Sequence, residues 1–325
     1  MKNTLLFTLS LIIFTTVVEA GEQQKNTDVA TENLLPLLTQ KQWIHGSKDC
    51  STNKDPAVEV FQYSDSSYIL RQSKCLTYEA PFIYVLVGDE KILVIDTGAT
   101  DDVEELSVYK TVQALQKKHI DKEQGVEREI LVIHTHSHSD HYGGDDQFID
   151  QEKVTVVPVS AEGINDFFAF EDWPNKPAII ELGGRSITII PTPGHQEQAI
   201  SIYDYQTKWL LTGDTFYPGY VYIKNWHDYK ASISRLTAFT HKNTVSAILG
   251  SHIEMKNSAG EYYEIGTIYQ PQEASLVLTV SDLAALNTEL SELDEPEKVV
   301  LEGVIVEPLG FFPKLISSIV GLFLK

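Results

Sequence analysis

Cysteine is almost absent from this chain: 325 residues contain two, Cys50 and Cys75. Neither lies near the histidine-rich stretch described below, so neither is counted as a metal ligand; in an oxidising compartment the pair is expected to bridge. Basic residues are scarce as well, with 25 Lys and Arg against 46 Asp and Glu and a formal net charge of -21. Such a chain repels a polyanion and lacks the basic stripe that phosphate contacts demand, which excludes nucleic acid as an expected partner. The apolar run from Leu5 to Val18 covers only 14 positions, fewer than the roughly 20 a membrane-spanning helix requires. It follows Lys2 and leads into Val18-Glu19-Ala20, a small-residue cleavage signature. Residues 1–20 therefore read as a signal peptide cut after Ala20, with a periplasmic or secreted destination. Gly21 stands where a lipidated protein would carry cysteine.

The hydrophobic share, 42%, is enough to fill a core at this length. Residues 21–56 open with the polar, aperiodic GEQQKNTDVATEN and read as a tether and extension, with folding expected to begin near Trp43. The runs VEVFQY, SYILRQ, FIYVLV and KILVID follow at close spacing between Ser, Asp and Gly signals, as in an antiparallel meander. Residues 104–118 carry Leu106, Val108, Val112 and Leu115 at helical spacing, and EILVIH is a short apolar run of the buried-strand kind. The second half repeats this grammar with KVTVVPVS, SITIIPTPG, a hairpin of AISIYDY and WLLTGD, a helix around YKASISRLTAF and the strand VSAILGSH. Two such halves predict an α/β fold of two sheets packed face to face with helices outside. Residues 271–325 are expected to form a C-terminal helical extension: leucines at 283, 286, 290 and 293 mark one amphipathic helix, and GFFPKLISSIVGLFLK a second. Segment 310–325 is too short to span a bilayer; packing against its own domain or a sister subunit, or lying in a membrane interface, are its open alternatives.

One stretch carries chemistry. In HTHSHSDHYGG, eight positions from His134 to His141 hold four of the chain's ten histidines and an aspartate. Strand alternation puts His136 and His138 on one face, where their imidazoles can converge on one ion; His134 shares that parity, so spacing alone does not separate it. Asp140 and His141 are adjacent on the following turn, which Gly143 and Gly144 permit to be sharp, and can face a second ion. Three further donors end apolar runs: His195 after TPG, Asp214 in LLTGDTFYPG and His252 in ILGSH. Ser137 and Ser139 are not read as nucleophiles, since no Gly-x-Ser-x-Gly elbow is present to expose one.

THSHSDHYGG, TPGH, LTGDT and LGSH, in that order and preceded by VIDTG, resemble the motif series of the metallo-β-lactamase superfamily over roughly residues 57–270. The resemblance implies a four-layer αββα sandwich and a metal-dependent hydrolase. It assigns His136, His138 and His195 to one zinc ion, Asp140, His141 and His252 to a second, and Asp214 to both. His134 falls outside the pattern and reads as structural; Asp96 of VIDTG is expected to support the metal loop rather than bind. Two zinc ions sharing a hydroxide would attack an ester, lactone, thioester or amide-type bond of a small molecule, because binding lowers the pKa of water from about 15.7 to about 7. Asp140 would orient that nucleophile.

Dedicated β-lactamases carry Cys or Ser where this chain has Asp214, so the resemblance points to the wider hydrolase branch, with β-lactam cleavage as the alternative. Iron or manganese also suits these donors. An iron-dependent oxidoreductase or a noncatalytic metal-binding module is accordingly the reading from another class, although retention of all seven donors argues against an inert module. After His195 the chain reads QEQ where the family has small residues, which leaves that loop's geometry open. TFYPGYVYIKNW offers Tyr217, Tyr220, Tyr222 and Trp226 as walls of a substrate cleft or, equally, as core or hairpin residues.

Overall fold

The computed structural model describes residues 34–120 and 127–310. Strands β1 (Val58–Ser64), β2 (Ser67–Gln72), β3 (Phe82–Val87) and β4 (Lys91–Ile95) form the expected antiparallel meander. Strands β5 (Glu129–Ile133) and β6 (Val154–Val156) then add in parallel, giving the order β1-β2-β3-β4-β5-β6. Parallel addition requires a crossover, and the helix Val108–Lys118 lies on it. That helix starts later than residue 104 because Ser107 caps it, its hydroxyl accepting from the Lys110 N–H at 3.2 Å.

A second sheet contains β7 (Ala178–Glu181), β8 (Ser186–Pro191), β9 (Ile200–Asp204), β10 (Trp209–Gly213), β12 (Ala247–Gly250) and β13 (Val277–Leu278), ordered β13-β12-β10-β9-β8-β7. Alternation explains why central strands are buried on both faces. Tyr84, Leu86, Leu93, Ile95, Leu131 and Ile133 of the first sheet meet Ile187, Ile189, Ile202, Trp209 and Leu211 of the second. Their neighbours Ile83, Val85, Ile92, Val94, Ile130 and Val132 pack with Val108, Val112 and Leu115 of the covering helix. On the far side Leu210 and Ile248 pack with Tyr229, Ile233 and Leu236 of the helix Trp226–Thr240 and with Leu283, Leu286 and Leu290 of the helix Val280–Glu292. The layers are helix, sheet, sheet, helices, as expected for the αββα sandwich.

Arg185, just before β8, staples the two sheets together. Its guanidinium binds Asp204 at 2.9 and 2.6 Å, and donates to the carbonyls of Ser66 and Val87 and the hydroxyl of Ser67 in the first sheet. A planar fork with five N–H donors suits a buried role that a lysine could not fill.

Both ends of the described chain differ in part from the sequence reading. Order begins before Trp43: the helix Leu35–Thr39 seats Leu38 in the inter-sheet core. Cys50 and Cys75 are bridged, which ties this extension to the segment between β2 and β3. At the other end the helix Val280–Glu292 is present, opened by a capping box between Thr279 and Asp282. From its end to residue 310 the chain is not helical. Residues 299–308 form β14 (Val299–Val300) and β15 (Ile305–Pro308), and β15 pairs in parallel with β11 (Tyr220–Ile223) in a third sheet, order β11-β15-β14. The β-branched Val299, Val300, Ile305 and Val306 fit a pleated surface, a signal too short to read as a strand without its partner. The expected signal peptide, the expected tether up to residue 33 and residues 311–325 of the expected second amphipathic helix lie outside the described residues. Among the described residues no helix is long and apolar enough to cross a membrane.

Candidate metal centre

Strand ends at one edge of the two sheets gather the donors. β5 delivers residues 134–141, β8 leads through a turn to His195, β10 ends one residue before Asp214, and β12 ends two residues before His252. Two glycines make this convergence possible. At Gly194, with φ of +146°, a Cβ would lie 2.5 Å from the Tyr229 Cα; at Gly213, with φ of +52°, it would lie 2.5 Å from the Thr135 Cβ.

The seven donors predicted from sequence fall into two groups that share Asp214: His136, His138, His195 and Asp214, and Asp140, His141, Asp214 and His252. In the first, His138 Nδ1 is 2.9 Å from His136 Nε2 and 3.1 Å from His195 Nε2. Asp214 Oδ2 is 3.8 Å from His136 Nε2 and 3.7 Å from His195 Nε2. In the second, Asp140 Oδ2 lies 3.2 Å from His141 Nε2 and 3.3 Å from His252 Nε2, while Asp214 is 3.6 and 3.4 Å from the same two nitrogens.

The outer ring nitrogens point away from these groups to fixed partners. His136 Nδ1 meets the Thr135 hydroxyl at 3.2 Å, His141 Nδ1 meets Asp96 Oδ2 at 2.8 Å, His195 Nδ1 meets the Tyr222 carbonyl at 2.7 Å and His252 Nδ1 meets the Glu79 carbonyl at 3.0 Å. Such partners fix tautomer and ring orientation. Asp96 fills the supporting role expected of it. Held at φ of +66°, it also accepts from the Thr135 N–H at 2.7 Å and bonds the Thr135 hydroxyl at 2.9 Å. His134 stays out of both groups, bonded through Nε2 to Asp145 at 2.8 Å.

Electrostatics divides the groups. Burial, then repulsion from His141, pushes His136 well below its ordinary range; burial and His195 take His138 down to about 3; burial lowers His195. These three imidazoles are neutral at physiological pH, so each has a ring nitrogen able to offer a lone pair to a cation. In the second group burial opposes charge, yet Asp140 with Asp214 and Asp96 raises His141 well above its usual value, and Asp214 with Asp140 raises His252 to about 9. Burial opposes ionisation of Asp140 and Asp214 too, but His141 and His252 hold both carboxyls far below the ordinary carboxylate value. Two buried carboxylates thus demand positive charge.

A metal fits this arrangement. Two donors each about 2.0–2.1 Å from a tetrahedral ion stand roughly 3.4 Å apart, and the separations above bracket that value. Asp214 Oδ1 is buried with no hydrogen-bond partner, a costly state for a carboxylate oxygen that cation binding relieves. Neutral imidazoles and ionised carboxylates are the forms in which His and Asp ligate; His136, His138, His195 and both aspartates are in them already, and a cation would take the place of the protons that the aspartates hold on His141 and His252.

The aromatic segment is placed differently from a simple cleft wall. Trp226 is a core residue at the start of its helix, and Tyr217 is buried, its hydroxyl bonded to Glu254 and the Tyr220 carbonyl and its ring against His252. Both are drawn inward because each strand or helix end here has an apolar layer to fill. Tyr220 and Tyr222 are partly exposed on β11, their rings 5.0 Å apart. Besides the Thr135 hydroxyl on His136 Nδ1, three contributors were missed in the sequence. The carbonyls of Tyr222 and Glu79 carry no side-chain signal; Gln196, whose amide meets His138 Nε2, was signalled by the QEQ departure after His195.

Residues 76–243, just over half of the chain, match the family model described as the metallo-beta-lactamase superfamily. The chain belongs to this superfamily. Six of the seven donors fall inside the matched range, and His252 lies beyond it. Superfamily membership and this donor set together support a metal-dependent hydrolase. Among curated relatives, the beta-lactamase-like protein 2 homolog of Caenorhabditis elegans is 27% identical over 168 residues, 49% of this chain and 52% of that protein, so the chain spans about half of that relative's length. The acyl-coenzyme A thioesterase MBLAC2 of Homo sapiens is 25% identical over 248 residues, 62% of this chain and 87% of that protein. Among solved structures, a metallo-beta-lactamase from Pontibacter korlensis aligns with a TM-score of 0.44 and 16% identity, covering 73% of this chain and all of that one.

Proposed function

We propose that this superfamily member hydrolyses an acyl bond, with a thioester as its substrate class, using two divalent ions of which zinc is the best suited. The observation that carries the reading is the sharing of Asp214 by two donor groups within one cluster. Two ions there would supply Lewis acidity and acidify water at neutral pH. His136, His138 and His195 would hold one, and Asp140, His141 and His252 the other, with Asp214 common to both. Asp140 is the more accessible of the two carboxylates, at 17% side-chain exposure against 9% for Asp214. It is therefore the group placed to orient an attacking water, while Asp214 stays dedicated to charge balance. Tyr220 and Tyr222 form an aromatic rim on the His195 side for the acyl portion. The thioester preference is supported by the thioesterase relative, and aspartate at position 214 turns the reading away from β-lactams.

The test is hydrolysis by residues 21–325, loaded with zinc, of a panel of acyl-thioesters, acyl-homoserine lactones, β-lactams and phosphodiesters, with and without chelator. Chelator-sensitive turnover highest on thioesters supports the reading; a preference for any other class overturns the substrate assignment, and turnover indifferent to chelator overturns the metal dependence. We also propose export, supported by the Leu5–Val18 run and the bridged Cys50–Cys75 pair. Exported material whose N-terminal sequence begins at Met1 would sink the cleavage after Ala20.

A further inference from the structure

Of the five histidines in the two donor groups, four rest their outer nitrogen on a hydroxyl, a carboxylate or a backbone carbonyl. His138 is different. Its outer nitrogen, Nε2, meets the side-chain amide of Gln196, a group that both donates and accepts.

The segment carrying that amide is anchored. The Gln196 carbonyl accepts from the Gly194 N–H at 3.1 Å and the Ala199 N–H at 3.4 Å, and Ile200 N–H donates to the Thr135 carbonyl at 2.8 Å. Two residues on, the Gln198 amide donates to the hydroxyl of Ser137, the neighbour of His138. QEQ thus grips Ser137 and His138 from side chains two apart, on the same side of the segment.

We propose that Gln196 is the positioning residue of His138, its amide turning to serve both tautomers of the ring. With the proton on Nδ1, that nitrogen donates to His136 Nε2 or His195 Nε2, at 2.9 and 3.1 Å, and the Nε2 lone pair accepts an amide N–H from Gln196. With the Nδ1 lone pair given to a cation, the proton sits on Nε2 and needs an acceptor; a half-turn of the amide about χ3 brings Oε1 to it. The proton only changes nitrogen, and no charge is created in a buried site. A carboxylate could serve only the second tautomer, and a hydrocarbon neither. The inference rests on the metal reading of the three-histidine pocket.

The test uses zinc alone, titrated into the metal-free full chain in competition with a chromophoric chelator, with the histidine tautomers read by nitrogen-15 NMR. Gln196→Leu is expected to weaken the three-histidine pocket about 10–100-fold, the usual effect of losing an outer partner, and to leave the Asp140 and His252 pocket near its original affinity. Gln196→Glu, an acceptor in place of an amide, is expected to bind at least as tightly as the unaltered chain and to hold His138 with its proton on Nε2 without metal. In the unaltered chain the His138 proton should move from Nδ1 to Nε2 on zinc addition. Zinc affinity and His138 tautomer unchanged in Gln196→Leu would overturn the proposal while leaving the metal reading standing. Failure of the unaltered chain to take up zinc would overturn both. Thermal unfolding of each variant separates misfolding from these outcomes, with Gln196→Asn, too short to reach His138, as a milder substitute expected to behave like Gln196→Leu.

Discussion

The carbonyl oxygen of Tyr222 lies 2.7 Å from His195 Nδ1, so a donor of one pocket is oriented by the backbone of an edge strand in the third sheet. That strand, β11, is held by β15, with Val221 opposite Val306 and Tyr220 bonded to Glu307 at 2.9 Å. Glu254 fixes the start of the strand, accepting from the Tyr220 N–H at 2.8 Å and from the Tyr217 hydroxyl at 3.1 Å. The C-terminal strands therefore belong to the structure that supports the site, although they lie far from its motifs in sequence.

Shaving the strap should be felt at the metal. Val306 is fully buried, and Val306→Ala is expected to destabilise by about 1–2 kcal/mol and to lower zinc affinity of the three-histidine pocket, as β11 loosens and His195 loses its fixed acceptor. Tyr222→Phe keeps the carbonyl and should bind zinc like the unaltered chain. Isothermal titration of both variants checks this; equal affinities would show that β15 does not reach the site.

The two aspartates of the centre should fail in different ways. Asp140→Ala removes the accessible carboxylate from one pocket only, so turnover should fall by about 100-fold or more with zinc retained in the three-histidine pocket. Asp214→Ala removes a donor from both pockets and should cost both metal ions. Metal content and single-turnover rates on the best substrate separate the two; near-normal turnover by Asp140→Ala would reject its role.

Much of the centre was legible because metal ligation demands particular side chains in a fixed order at strand ends, and all seven donors meet as the motifs imply. The layers were legible for a related reason: strands such as FIYVLV need cover on both faces, and only a sheet on one side and helices on the other supply it. What stayed hidden is made of partners distant in sequence. Arg185 reads as a polar residue in a Gly-Gly-Arg turn until Ser66, Val87 and Asp204 surround it; β14 and β15 are too short to announce themselves; and the carbonyls of Glu79 and Tyr222 look like any other.

Arg185 and Asp204 give the molecule a pH dependence whose sign can be worked out. Burial works against the Asp204 carboxylate, but Arg185 and the Thr207 hydroxyl and N–H bring it below its ordinary value of 3.8. A carboxyl with a depressed folded-state pKa contributes stability that is present above its unfolded value and is lost as pH falls through the folded one. Asp204→Asn leaves Arg185 charged and buried without its partner, which costs about 3–5 kcal/mol near neutrality. The gap between the two proteins should narrow below about pH 4. Thermal unfolding from pH 7 to pH 3 measures it; a gap constant across that range would assign the stabilisation to packing.

The Cys50–Cys75 bridge should act on the unfolded chain more than on the site. It closes a loop of 25 residues, for which chain entropy gives about 3.5 kcal/mol, and at a few degrees per kcal/mol the melting temperature of the Cys50→Ser, Cys75→Ser double variant should fall by roughly 7 °C or more. The segment after Cys75 leads to Glu79, whose carbonyl orients His252, so a loosened loop threatens the second pocket. Two contacts independent of the bridge hold it: the buried Lys74 donates to the Tyr78 carbonyl at 3.0 Å, and the Leu76 N–H to the Ser73 carbonyl at 3.0 Å. The double variant should therefore keep full zinc content below its melting temperature. Loss of zinc from a variant that still shows cooperative unfolding would mean that the bridge, rather than these contacts, holds the Glu79 carbonyl in place.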